Sequence, residues 1–283
     1  MTTFVPQLSA PPQGAGPACW FIFQGDRLLV RANGDRAAVP IAGSAAELGL
    51  SLLRSLYLGY LEDGAVRTDC FAAEIDRGDA LPDGMAAEGL RNLYPLLDEA
   101  SMRVAGRAVQ LLAFERTTRY CGQCGGPMVN QAHERARRCP ACELVTYPRL
   151  SPAIIIAVTR PMPDGLHILL ARNHRFPAGR YSVLAGYVEP GETLEECAAR
   201  EVCEEVGITI GNIRYFGSQP WPFPDSLMIG FTADYVRGEI RLEESELAEA
   251  HWFRADELPN IPPSHTIARR LIDGFVARAR ATG

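Results

Sequence analysis

The chain has no lysine: all 28 basic residues among its 283 are arginine. That absence excludes Schiff-base chemistry and a lysine general base. It leaves recognition of phosphate to arginine, backbone amides or metal. Positive charge is scarce overall, with a net charge of −6, which argues against a protein that coats nucleic acid through a basic surface. No apolar run approaches the roughly 20 residues that a bilayer-spanning helix needs. The opening residues, Met1 to Pro6, lack the basic start and apolar stretch of a secretory signal, and the last residues are no peroxisomal address. A cytoplasmic protein with no membrane partner is expected. His133, His167, His174, His251 and His265 are scattered and form no ligand cluster. At 283 residues the chain is too long for one small core, so two domains with a connecting module are expected.

Eight cysteines could suggest disulfides, but their spacing says otherwise. Cys121, Cys124, Cys139 and Cys142 form C-x2-C-x14-C-x2-C, two knuckles of the kind that hold structural zinc, with a gap one residue short of the usual range. Gly122, Gly125 and Gly126 allow tight turns at the first pair, and Pro140 shapes the second. Four thiolates leave no open coordination position, so one zinc per chain is structural. Cys19, Cys70, Cys197 and Cys203 follow no pattern and read as small buried apolar residues.

The acidic residues are where the chemistry concentrates. Gly186, Pro190 and Gly191 read as a bent loop, and Thr193 with Glu196 three residues on is a capping box opening a helix. Along that helix Glu201 and Glu205 rise from one face on successive turns, with Glu204 beside them. Three carboxylates crowded together repel one another, and a hard divalent cation resolves the conflict. Arg200 can pair with a carboxylate and fix its direction.

Elsewhere the pattern outlines the organisation. Residues 1 to 17, rich in Pro, Gly and Ala, read as a loose arm. Apolar runs flanking Gly25-Asp26 and Asp63-Gly64 read as hairpins. Met102, Ala105, Val109 and Leu112 recur at helical spacing between Asp98 and Glu115. Ala153 to Val158 is a buried strand, turned at Pro161–Gly165 into His167–Arg172. Further strands lie near Ile213–Ser218 and Leu227–Val236, and Ser264–Arg280 closes as an amphipathic helix with Ile267, Leu271, Phe275 and Val276 inward. The first third shows no catalytic pattern and reads as a packing or substrate-covering domain.

Gly186, Glu192, Arg200, Glu201, Glu204, Glu205 and Gly207, with apolar Val202 and Ile208, resemble the Nudix box of enzymes that split a nucleoside diphosphate linked to another group. Ser218-Gln219-Pro220-Trp221-Pro222-Phe223-Pro224-Asp225-Ser226 resembles the SQPWPFPxS sequence of the NAD(H) pyrophosphatases, the NudC-type branch of that superfamily. Three prolines there suggest a stiff, strand-incompatible loop that holds aromatic rings for a flat base. The resemblance is close over roughly residues 90 to 275 and covers the first ninety only in position and character.

The resemblance implies an α/β fold: a Nudix α/β/α sandwich with a mixed sheet at 149–283, preceded by a zinc ribbon at 118–148 and a smaller α+β N-terminal domain at 1–117. It implies metal-assisted hydrolysis of NAD(H) to AMP and the nicotinamide mononucleotide. Magnesium or manganese would be held by the Ala185 carbonyl with Glu201, Glu205 and Glu246, and Glu204 or Glu205 would accept the water's proton. Substrate contacts carried over are Gln219, Pro220, Trp221, Pro222, Phe223, Pro224, Asp225 and Ser226, with Ala268, Glu134, Tyr147 and Tyr187. Arg91 joins them through an alignment that needs a gap. A homodimer is implied too, with Tyr147 reaching the nicotinamide from the partner subunit. Three alternatives stay open: RNA carrying a 5′ NAD cap, for which Arg116, Arg119, Arg135, Arg137, Arg138 and Arg149 make a locally basic segment; ADP-ribose; and a non-catalytic sensor built on the same fold.

Overall fold

A computed structural model describes residues 2–10 and 16–282, which divide into two compact units, Met1–Arg149 and Leu150–Gly283. The first unit is built on strands β1 (Thr3–Pro6), β2 (Ala18–Gln24), β3 (Arg27–Asn33), β4 (Arg36–Ala38), β5 (Ile41–Ala42), β6 (Arg54–Asp63), β7 (Val66–Ile75) and β8 (Met85–Gly89). Their order is β1-β6-β7-β2-β3-β4, with β5 paired to β2 and β8 to β3. The contact between β2 and β7 is parallel. Both expected hairpins form. Gly25-Asp26 makes the first turn, and the second is Gly64-Ala65, one residue later than expected, because Asp63 pairs with Val66. Gly25 and Gly64 supply the positive φ these tight turns require.

Strand β2 is buried on both faces. Trp20 and Ile22 pack with Leu48 and Leu50, while alternation sends Phe21 and Phe23 to the other face, where helix α2 (Glu99–Thr117) lies. A short helix, α1 (Leu90–Leu93), precedes it, and Asp98 caps α2 by accepting from Ser101 N at 2.9 Å. Met102, Ala105 and Leu112 are buried as expected and Val109 is half-buried.

The expected loose arm is corrected at its start: β1 pairs with β6 from Thr3↔Glu62 to Pro6↔Gly59. A Cβ at position 59 would meet Val5 O at 2.1 Å, so Gly59 is what admits β1 to the sheet edge. The parts of that arm at residues 1 and 11–15 lie outside the described residues. Three short strands, β9 (Val129–Asn130), β10 (Arg137–Arg138) and β11 (Val145–Thr146), form the cysteine module's own sheet within this first unit. Arg135 ties that module to the larger sheet by donating to Gln7 O at 2.6 Å and Tyr57 O at 2.7 Å.

The second unit holds β12 (Ser151–Met162), β13 (Gly165–Asn173), β14 (Leu184–Tyr187), helix α3 (Leu194–Val206), β15 (Thr209–Trp221), β16 (Ser226–Arg237), β17 (Leu247–Arg254) and helix α4 (Ile267–Thr282). The mixed sheet runs β15-β16-β12-β13-β17 with β14 on β12, and β12 lies parallel to β16. Alternation along β12 builds the three layers. Ile154, Ile156 and Val158 pack with Ala198, Val202 and Val206 of α3, whereas Ile155 and Ala157 pack with Ile267, Leu271 and Phe275 of α4. Each of the buried Val, Ile, Leu and Phe side chains contributes about 1.5–3 kcal/mol. Strand β17 carries no clear signal in the sequence because its polar residues face outward at a sheet edge.

Candidate active site

Helix α3 starts as its sequence demands. Thr193 Oγ1 accepts from Glu196 N at 3.2 Å, and the Glu196 carboxylate accepts from Thr193 N at 2.8 Å, completing the capping box. Gly207 ends the helix in the left-handed region. Carbonyls left open at that end are taken up by the next loop: Arg241 N donates to Val206 O at 2.9 Å and Glu243 N to Glu205 O at 3.0 Å. That docking sets the turn bearing Glu246 against the last turn of α3.

Arg200 is the hub of the box. Its guanidinium bonds both carboxylate oxygens of Glu192, reaches Glu201 and Glu204 at 2.9 Å each, and donates to Tyr187 O at 3.0 Å. Arg200, with the Glu189 backbone amide, holds the Glu192 carboxyl down at about 2. Glu201 turns inward over β14. A Cβ at Gly186 would fall 1.8 Å from the Glu201 Cδ, so glycine stands there to leave room for a carboxylate. Gly186 is therefore a strand residue under the acid rather than part of the expected bent loop.

The crowding of acids differs from the sequence expectation in one member. Burial, with the charges of Glu201 and Glu246 beside it, pushes the Glu205 carboxyl up to about 8. Glu204 instead faces solvent, its side chain 58% exposed and tied to Arg200. Glu201 is also raised, by burial first, against the pull of Arg200. Glu205 Oε2 is a buried acceptor with no hydrogen-bond partner. An orphaned buried carboxylate oxygen of Glu205 beside the carboxylates of Glu201 and Glu246 fits a hard divalent cation.

The proline-aromatic segment is corrected from a strand-incompatible loop to the tip of a hairpin. Gln219 to Trp221 end β15, pairing with Met228, Leu227 and Ser226 of β16. Pro220 lies on an edge strand, where sheets accommodate proline. Trp221 and Phe223 meet edge to face at 5.0 Å. The amide of Gln219 is engaged with the start of α4, Oε1 accepting from Ile267 N at 2.7 Å and Nε2 donating to His265 O at 2.8 Å. Gln219 thus anchors the hairpin, and the adjoining Ala268 is buried. Ser151, which nothing in the sequence singled out, holds the other side: its hydroxyl donates to Asp225 Oδ1 and its N–H to Asp225 O, both at 2.9 Å. Tyr187 is 55% exposed, and its hydroxyl lies 3.0 Å from Ser226 Oγ.

Arg91, Glu134 and Tyr147 belong to the first unit. Tyr147 Oη donates to Glu134 Oε1 at 3.3 Å, so these two come together, and the negative charge of Glu134 raises the tyrosine hydroxyl's pKa. The four expected zinc ligands also converge, with sulfur atoms all within 4.8 Å of one another. Cys121 and Cys142 are 3.4 Å apart, as are Cys124 and Cys139. Those separations are far beyond a disulfide bond and near the roughly 3.8 Å of thiolates on a tetrahedral zinc. Backbone N–H groups of Cys124 and Gln123 bring the Cys121 thiol down to about 6, toward the thiolate a metal needs.

Three family profiles match the chain in sequence: an NADH pyrophosphatase-like rudimentary NUDIX domain at residues 17–113, an NADH pyrophosphatase zinc ribbon domain at 116–147, and a NUDIX domain at 149–275. The NAD-capped RNA hydrolase NudC of Deinococcus radiodurans is 40% identical over 280 residues, covering 99% of this chain and 94% of that one. The protein of the same name from Pseudomonas aeruginosa is 49% identical over 208 residues, covering 74% and 73%. That from Erwinia tasmaniensis is 46% identical over 239 residues, covering 84% and 86%.

Proposed function

This chain belongs to the NudC-type branch of the Nudix hydrolases, and from that premise we propose that it hydrolyses the pyrophosphate of NAD(H) with Mg2+ or Mn2+. The observation that carries the reading is the double attachment of Tyr187. Its carbonyl accepts from Arg200 of the acidic helix and its hydroxyl meets Ser226 of the aromatic hairpin. One residue thereby couples the cation-holding acids to the pocket wall that suits a flat base.

When bound, the cations neutralise charge developing on the phosphates and make water nucleophilic at neutral pH. Glu201, Glu205, Glu246 and the Ala185 carbonyl would hold them, and Arg200 keeps Glu201 aimed. Glu204, exposed and oriented by Arg200, takes the proton from the attacking water in this reading, while the buried Glu205 serves as a ligand. The water oxygen bonds to one phosphorus, the bridging P–O bond breaks, and AMP and the nicotinamide mononucleotide leave. Tyr187 offers an exposed ring to the nicotinamide, and Trp221 with Phe223 shapes the hairpin wall. Zinc on Cys121, Cys124, Cys139 and Cys142 organises the ribbon and takes no part in the chemistry. A homodimer would let the Tyr147–Glu134 pair of one subunit serve the other's site, and the reduced thiols fit a cytoplasmic protein.

Incubation of the pure protein with NADH, ADP-ribose and diadenosine polyphosphates in Mg2+, followed by chromatography, tests the assignment. AMP and reduced nicotinamide mononucleotide should form fastest. Preferential turnover of ADP-ribose would refute the substrate.

NAD-capped RNA is a second reading, favoured by the names of the relatives. The ribbon arginines lend it less support than their sequence suggested. Arg116 is paired with Glu74, Arg137 with Glu115 and Arg138 with Glu143, and Arg135 is taken up by backbone carbonyls. Comparing NADH with NAD-capped RNA across a salt series separates the two, since affinity for RNA should fall much more steeply.

A further inference from the structure

Glu246 sits on an exposed turn, where a cation ligand would be poorly aimed unless something fixed the turn at both ends. One end is docked on α3 through Glu243 N to Glu205 O and Arg241 N to Val206 O. The turn is closed internally, with Glu246 N and Leu247 N both donating to Glu243 O at 3.0 and 2.9 Å. Ser245 adds two bonds to Glu243 Oε1. Its other end meets His174, the first residue past β13. The His174 N–H reaches Glu246 O at 3.4 Å, and the ring Nε2 lies 2.9 Å from Glu244 O. A carbonyl can only accept, so Nε2 must carry its proton here, whether the ring is neutral or charged. Between β13 and β17 the register slips at Arg172/Asn173, where Arg172 faces Glu249 but Asn173 faces Leu247. The extra residue is Ala248 of β17, so it is β17 that bends there, next to the Glu246 turn that His174 clasps. Arg172 braces the bulge through Glu249, at 3.0 Å from Nε and 2.6 Å from Nη2.

We propose that His174 is a positioning residue for the catalytic cation site, clasping the Glu246 turn so that this carboxylate faces Glu201 and Glu205. The inference rests on the reading of Glu246 as a cation ligand. Its imidazole does not touch substrate or cation; it acts through the backbone of Glu244 and Glu246. Glutamine can place an amide donor toward the same carbonyl, whereas alanine and leucine cannot.

Mn2+ binding to the full-length protein, followed by electron paramagnetic resonance without substrate, tests this, alongside the Mn2+ dependence of NADH hydrolysis. His174→Ala should weaken Mn2+ affinity roughly tenfold, as loss of an outer-shell support does. Excess Mn2+ should then recover most of the rate, and His174→Gln should bind Mn2+ more nearly like wild type. Glu246→Gln should weaken binding further, and adding His174→Ala to it should cost nothing more. If Glu246→Gln weakens Mn2+ binding and His174→Ala does not, the clasp is wrong and the ligand assignment stands. If Glu246→Gln leaves Mn2+ binding untouched, the ligand assignment and the clasp fall together. A lowered melting temperature in His174→Ala with unchanged Mn2+ affinity would mark a merely structural role and also overturn the proposal.

Discussion

The two sheets of this protein are built to one plan. In the second unit β15-β16-β12-β13-β17 carry β14 on β12; in the first β6-β7-β2-β3-β8 carry β5 on β2. Each has one parallel contact, β12 with β16 and β2 with β7, and each ends in a long helix after its last strand. The profile of a rudimentary NUDIX domain over residues 17–113 agrees with that correspondence. What differs is the connection leaving β5 or β14. After β14 comes the 13-residue α3 with its acids; after β5 comes one 3-10 turn, Ala46–Leu48. The lone acid of that turn, Glu47, caps the backbone at Gly43 N. Gly186 of β14 leaves room for Glu201, whereas β5 carries Ile41 and Ala42. The same sheet is thus built with and without an acidic helix, and the proposed cation site sits on the copy that has one.

The cysteine module has no counterpart in that plan, and disturbing it should have the largest effect. Cys121→Ala should lose about one zinc per chain by elemental analysis and lower the melting temperature sharply. Structural zinc contributes on the order of 10 kcal/mol to such modules. Full zinc content in the variant would contradict the ribbon. Next comes the contrast between the halves. Glu205→Gln should cut NADH hydrolysis on the order of a thousandfold, while Glu47→Gln in the acid-poor half should leave the rate near wild type. Comparable losses in both variants would mean that the first half shares in the chemistry. Gly186→Ala sharpens the point with a single methyl. The added carbon displaces the Glu201 carboxylate, and a misplacement of that size should cost roughly a hundredfold in kcat/KM, with the far-ultraviolet circular dichroism unchanged.

The second unit was far more legible in the sequence than the first, for a physical reason. The box positions are set by chemistry that only a few residue types can perform, so Thr193, Arg200, Glu201 and Glu205 announce the helix, its cap and its cation. The first unit retains only the apolar alternation of a sheet, which many sequences satisfy, and its hairpins and helix α2 were legible while its kinship with the second unit was not. Within the site, the sequence could name Glu246 but not show that it replaces Glu204 beside Glu205. That depends on Arg241 and Glu243 docking on α3, a contact between segments some forty residues apart. Gln219 was legible as part of a motif, but its attachment to α4 is tertiary. Ser151 and His174 carried no local signal at all, since a single serine or histidine beside a strand is compatible with many roles.

The smallest effect expected is on stability, and it has a definite sign. The Glu205 carboxyl sits at about 8 in the folded protein against an ordinary value of 4.5. Between those two values the folded chain keeps a proton that the unfolded chain has released, so stability falls as pH rises through that window and levels off above about 8. With no Mg2+ or Mn2+ added and the ribbon zinc kept in place, the wild-type protein should lose on the order of 2–3 kcal/mol between pH 5 and pH 8 from this group, after allowance for local relaxation. Glu205→Gln has nothing to deprotonate there, so its urea-unfolding free energy should lack that slope and exceed the wild-type value at pH 8. Saturating Mg2+ should reverse the ranking, because the cation stabilises the ionised carboxylate in the folded state alone. A variant that stabilises the cation-free protein while abolishing turnover would show that the Glu205 carboxylate is buried, beside Glu201 and Glu246, at a cost in stability that a bound cation offsets.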